Sequence, residues 1–142
     1  MAVLLDTNIL LQPHHPHSPL AERALTTLRG RGEILHLVEQ NLVELWAVIT
    51  RPIGENGLGF TTERARAEVD TLKQIFVLLP EIPLLEEWER LVLAYGVSGK
   101  KTHDARLVAP MNAHEVNTIL TFNVRDFRRY REIAAVDPKT VP

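Results

Sequence analysis

The 142-residue chain contains no cysteine, which excludes disulfides, a thiolate nucleophile and any thiolate metal site. It also lacks an apolar run near the ~20 residues that a bilayer-crossing helix requires. Its N-terminus has no basic stretch followed by a long apolar one, so no export signal is read there. A cytoplasmic protein with no membrane association is the expectation. Aromatic residues are scarce at 6%, and no stacking platform for bases can be picked out. The net charge of −2 exerts no global pull on nucleic acid, so binding of that kind must come from local basic clusters. Internal repeats, low-complexity tracts and convincing linkers are missing too. What remains is 45% hydrophobic and 24% charged, the composition of an ordinary globular chain. Its length suits one domain with a sizeable core.

Apolar runs bounded by turn residues mark buried strands at Ala2–Leu5, Ile34–Val38, Ile75–Leu79 and Thr118–Phe122, with a weaker fifth at Ile133–Val136. Helical stripes lie between them. Leu42, Leu45, Trp46 and Ile49 repeat at i, i+3, i+4 and i+7, and Pro52 stops that helix. Ala65, Val69, Leu72 and Phe76 form a second stripe; Leu84, Trp88, Leu91, Val92 and Tyr95 form a third. Leu20, Ala24 and Leu28 mark a shorter helix closed by Gly30 and Gly32. Both tryptophans fit core stripes. The alternation of strands and helices predicts an α/β fold, a central parallel sheet with helices on both faces.

That topology gathers four acids distant in sequence. Asp6 directly follows the first strand, and Asp126 sits just past the fourth. Glu44 enters from the helix after the second strand. The helix starting near Thr102 must run back before strand four, so Asp104 in its first turn also starts at the carboxyl edge. Ligands of open α/β sheets bind at that edge. Carboxylates converging there repel one another unless a cation joins them, which makes a divalent-metal site the leading expectation.

A structural alternative stands beside it. Helix N-termini favour acids, Asn41-x-x-Glu44 and Asn123-x-x-Asp126 have the form of capping boxes, and Thr102 could cap the helix bearing Asp104. Asp6 resists this explanation, because it ends a buried strand where an unpaired charge is costly.

Asp6-Thr7-Asn8 after the first strand, the mid-chain Glu44, Thr102-His103-Asp104-Ala105 and Thr121-x-Asn123-x-x-Asp126-Phe127 together resemble the PIN-domain ribonucleases. More narrowly, they resemble the VapC-type toxins of bacterial toxin–antitoxin modules. The resemblance spans nearly the whole chain, 1–142 as one PIN-like domain, including the Trp46…Arg51-Pro52 helix end and the Asn56-Gly57-Leu58-Gly59 loop. It implies a three-layer α/β/α sandwich, an acidic Mg2+ or Mn2+ site, RNA cleavage, and a homodimer neutralised by a small antitoxin protein. Asp6 and Asp104 match the family's principal metal ligands. Glu44 matches the acid that completes the metal's ligands or orients water. Asn123 and Asp126 both match the last motif, and either can supply the fourth polar group. Thr7, Asn8 and Thr121 are candidate supporting or phosphate contacts. Pro110 departs from the pattern. It removes a backbone donor inside a helix, which costs roughly 3 kcal/mol if uncompensated and puts the packing below Asp104 in question.

Phosphodiester hydrolysis needs an activated water, in-line geometry and neutralised charge. Mg2+ held by a few carboxylates with retained waters supplies these. No histidine base is required, and the resemblance implies 5′-phosphate and 3′-hydroxyl products. Arg125, Arg128, Arg129 and Arg131 around Asp126, with Lys100, Lys101 and Arg106 around Asp104, suit phosphates flanking a scissile bond. An unpaired or looped RNA strand is the better target. His14-His15-Pro16-His17 reads as a structural or substrate-contacting loop, and His103 as a local hydrogen-bonding residue. A haloacid-dehalogenase-type phosphotransferase would want a second acid where Asn8 stands, and a response-regulator receiver lacks its paired acids here. The remaining rival is a non-catalytic RNA-binding or scaffold module of the same fold.

Overall fold

The computed structural model describes residues 1–11 and 19–142. The His14-His15-Pro16-His17 segment lies outside the described residues. Strand β1 (Ala2–Leu5) leads through α1 (Thr7–Leu10) and α2 (Pro19–Gly30) to β2 (Ile34–Leu37). Helices α3 (Glu39–Thr50) and α4 (Thr62–Ile75) precede β3 (Val77–Leu78), and α5 (Leu85–Ala94) and α6 (Thr102–Ala113) precede β4 (Thr118–Leu120). A short α7 (Val124–Phe127) and β5 (Ala134–Val136) follow.

Alternate residues of a strand point to opposite faces. In β1, Val3 and Leu5 pack with α1, α2, α3 and α4, whereas Leu4 packs on the other side with α5, α6 and Phe127. Both faces are covered, so the central strands are apolar throughout, as parallel sheets require. All pairings are parallel. The order is β3-β2-β1-β4-β5. The α/β architecture expected from the sequence is therefore the observed one.

That order fixes where a site can form. From β1 the chain builds outward through β2 to β3, then returns to place β4 on the opposite side of β1. The β1–β4 boundary is the topological switch point, and ligands of open α/β sheets bind outside the carboxyl edge there. Asp6 follows β1 and Thr121 follows β4, so both stand at that edge.

Two local expectations change. The third strand is confined to Val77–Leu78, because α4 continues through Ile75 and holds that residue in helical pairing. Helix α6 runs through Pro110 to Ala113, with Leu107, Val108, Ala109 and Met111 all buried around it. The carbonyl that loses its partner at Pro110 belongs to Arg106, an exposed residue, where water can take the missing donor's place.

Candidate functional site

Asp6 continues the β1–β4 ladder by one step, its amide donating to the Leu120 carbonyl at 2.9 Å. It then turns the chain into α1, accepting the Thr7 amide on Oδ1 at 2.7 Å. Its Oδ2 accepts the Thr121 hydroxyl at 2.8 Å. Thr121 Oγ1 in turn accepts the Asn123 amide at 2.9 Å and the Asn8 side chain at 3.4 Å. The Phe122 amide donates to Asn8 Oδ1 at 3.4 Å. Thr7, Asn8 and Thr121 thus brace Asp6, which is only 9% exposed. Burial holds the Asp6 carboxyl above the ordinary carboxylate range; the Thr121 and Thr7 hydrogen bonds oppose that shift, and the charges of Glu44 and Asp126 add to it.

Glu44 is not a cap. Helix α3 begins at Glu39, three residues before the start that Asn41-x-x-Glu44 suggests, so Glu44 lies in its second turn. Thr7 Oγ1 donates to Glu44 Oε2 at 2.8 Å, and Gln40 Nε2 donates to Oε1 at 2.7 Å. Gln40 also donates to the His103 carbonyl at 2.9 Å. It thereby ties Glu44 to the first turn of α6. Asn41 lies beneath, fully buried. It accepts the Val38 amide at 2.8 Å and donates to the Leu5 carbonyl at 3.1 Å and to Thr7 Oγ1 at 3.2 Å.

Asp104 occupies the first turn of α6, but Thr102 does not cap that helix. Lys101 holds the cap position, and the Thr102 hydroxyl donates back to the Gly99 carbonyl at 2.8 Å. Trp88 fixes this turn from α5, its indole donating to the Thr102 carbonyl at 2.9 Å. The Asp104 carboxyl is pushed up to about 6, first by burial, then by the charges of Asp126 and Asp6, with a smaller push from Glu44; Lys101 opposes them. Asp104 therefore lies within the fields of the other three acids, and Asp6 within those of Glu44 and Asp126. Asp126 is in α7, where the Asn123 side chain makes no cap; the carboxylate forms an ion pair with Lys101 Nζ. Asn123 and Arg125 are exposed beside it.

Convergence stops short of a ready-made cage. Among the described residues, no group of three His, Asp or Glu side chains is disposed to hold one metal ion. Asp6 and Glu44 turn to hydroxyl and amide donors, and Asp126 to an ammonium. As oxygen donors, the four carboxylates have the chemistry that Mg2+ and Mn2+ favour. Arg125, Arg128, Arg129 and Arg131 are exposed, as are Lys100, Lys101 and Arg106.

Sequence reasoning overlooked Gln40, although its i, i+4 spacing from Glu44 is a helix-surface pair that could have shown it. The sequence suggests Asn41 as the N-cap residue; it is the third helical residue, whose Oδ1 caps the Val38 amide while its Nδ2 ties α3 to β1 and α1. The Lys101–Asp126 pairing carried no sequence signal, because it depends on how α6 and α7 meet.

A family model described as PIN domain matches residues 3–133. No curated protein matches the chain by sequence. Among solved structures, the chain is similar to VapBC2 from Rickettsia felis bound to a DNA fragment from their promoter, with TM-score 0.72, 15% identity, and 96% of this chain and 98% of that one covered. VapBC-1 from nontypeable Haemophilus influenzae gives TM-score 0.69 and 17% identity over 99% and 100% of the two chains. FitAcB from Neisseria gonorrhoeae gives TM-score 0.65 and 19% identity over 97% and 99%. Among the described residues, no helix is long and apolar enough to cross a membrane.

Proposed function

The chain belongs to the PIN-domain family, and on that footing we propose that it is a metal-dependent endoribonuclease with Asp6, Glu44, Asp104 and Asp126 as its Mg2+ or Mn2+ ligands. The observation that carries this reading is the state of Asp104. Its half-buried carboxyl is raised to about 6, with Asp126, Asp6 and Glu44 all contributing. Asp6 and Asp104, both raised and both facing the charges of Glu44 and Asp126, form with them a patch at the switch point that a divalent cation would relieve. A bound divalent ion would supply an activated water and neutralise charge developing on the phosphate.

The chain's own residues supply the rest. Thr7 and Thr121 fix both oxygens of Asp6, so its orientation is set before any ligand arrives. Glu44, held by Thr7 and Gln40, would complete the ligand set or orient water. Asn123, exposed beside Asp126, would be the alternative source of the fourth polar group. The exposed arginines Arg125, Arg128, Arg129 and Arg131 would meet phosphates of an unpaired RNA strand.

The likeness to the VapBC and FitAcB structures supports a finer reading. The chain would act in the cytoplasm as a toxin, as a homodimer, and be neutralised by a small antitoxin protein. Growth on induction tests this. Wild type should slow growth, Asp6→Asn should relieve it, and the product of an adjacent small reading frame should co-purify. Unimpaired growth with no bound partner removes the toxin assignment and leaves the nuclease.

One observation favours a second reading. A non-catalytic RNA-binding or scaffold module would also show acids that do not meet three at a time. Titration with Mn2+ separates the two. The nuclease binds the ion and loses it on Asp6→Asn, whereas a scaffold shows no carboxylate-dependent binding.

A further inference from the structure

Asp6 and Glu44 accept from neutral donors, which can share an oxygen with an incoming cation. Asp126 differs. Its partner is the Lys101 ammonium, which reaches across 25 residues of sequence. Lys101 closes the short 3-10 turn Gly99–Lys101 and leads directly into α6, so it is anchored on the segment that carries Asp104. Its side chain is 45% exposed and that of Asp126 26%; the pair is accessible from solvent. The ammonium therefore stands where α6 and α7 meet, and its charge is felt by Asp104 as well.

We propose that Lys101 is an internal counter-ion of the acidic site: it neutralises Asp126 while no metal is bound, and a divalent ion must displace it. The inference rests on the metal-site reading above. A carboxylate oxygen cannot serve an ammonium and a divalent ion at full strength together, because the two cations repel. Lysine suits the task. Its compact charge rides on a flexible four-carbon stem, so it can leave Asp126 without any backbone change.

Calorimetric titration with Mn2+ tests this on the wild-type protein, Lys101→Met and Lys101→Arg. Lys101→Met should bind Mn2+ roughly two- to fivefold more tightly, the range expected for one accessible ion pair, while melting at a lower temperature than wild type without metal. Lys101→Arg should stay near wild type in both. Unchanged or weaker Mn2+ binding by Lys101→Met overturns the counter-ion role. No binding by any of the three proteins overturns the metal-site reading and this inference with it.

Discussion

The Thr121 hydroxyl donates to Asp6 Oδ2 at 2.8 Å, joining the residues that end β4 and β1 across the point where strand order reverses. This hydroxyl adds a side-chain tie to the β1–β4 backbone ladder and orients the most buried of the four acids. Thr121→Val keeps the shape and removes the donor. A lost hydrogen bond to a charged acceptor costs roughly 1.5–3 kcal/mol, so the urea midpoint should fall accordingly, and Thr121→Ser should restore it. An unchanged midpoint would deny the bond an energetic role.

Asn41 is the other structural dependency. Its side chain makes three buried hydrogen bonds, to Val38, Leu5 and Thr7. Truncation strands a buried amide and a buried carbonyl, so Asn41→Ala should lose roughly 2–4 kcal/mol in chemical denaturation. Asn41→Asp should be worse, because it presents a carboxylate to the Leu5 carbonyl where a donor is needed. Equal stability of Asn41→Asp and wild type would contradict the arrangement.

The sheet was legible in the sequence because a parallel strand buried on both faces leaves an unbroken apolar run, as in Val3-Leu4-Leu5 and Ile119-Leu120. Phe76 shows the limit. It ends a helical stripe and begins an apolar run, and only tertiary packing decides that α4 keeps Ile75 while the strand shrinks to Val77–Leu78. Asp6, Glu44, Asp104 and Asp126 could be found because topology places them. The Asn41–Glu44 capping box that the sequence suggests is absent for a different reason: Glu39 and Gln40 extend α3 toward its N-terminus, which moves Asn41 inside the helix and Glu44 beyond capping reach. The contacts of Gln40 with His103 and of Lys101 with Asp126 cross 63 and 25 residues. No local pattern encodes either.

The acids also set a pH dependence. Asp104 is raised from 3.8 to about 6. Between those values the folded chain holds a proton that the unfolded chain releases, so this contribution is complete below 3.8 and is lost as pH rises through about 6. His36 acts in the opposite sense, since burial lowers its pKa, and comparison with Asp104→Asn cancels it. Without metal, the melting temperature of Asp104→Asn should gain on wild type as pH rises from 5 to 7.5 (roughly the window in which Asp104 ionises). A constant gap across that range would show that Asp104 does not titrate there.

Divalent metal should reverse this penalty. Two carboxylates ~5 Å apart at an effective dielectric near 20 repel by roughly 3 kcal/mol, and an ion that binds only the folded chain stabilises it by linkage. Millimolar Mg2+ or Mn2+ should raise the melting temperature at neutral pH and do so less at pH 5, where protons compete for the same oxygens. Chelation should abolish the rise. No shift at either pH would contradict a shared cation site.

The central claim is that these acids hold a metal for RNA cleavage, and pooled RNA tests it most directly. Purified wild type and Asp6→Asn are incubated with the pool in Mg2+ and in chelator, and the product ends are mapped. Wild type should cut only with Mg2+, leaving 5′-phosphate and 3′-hydroxyl ends, and Asp6→Asn, though folded, should not cut. Full cleavage by Asp6→Asn, cleavage by wild type in chelator, or no cleavage by wild type in Mg2+ would contradict the account.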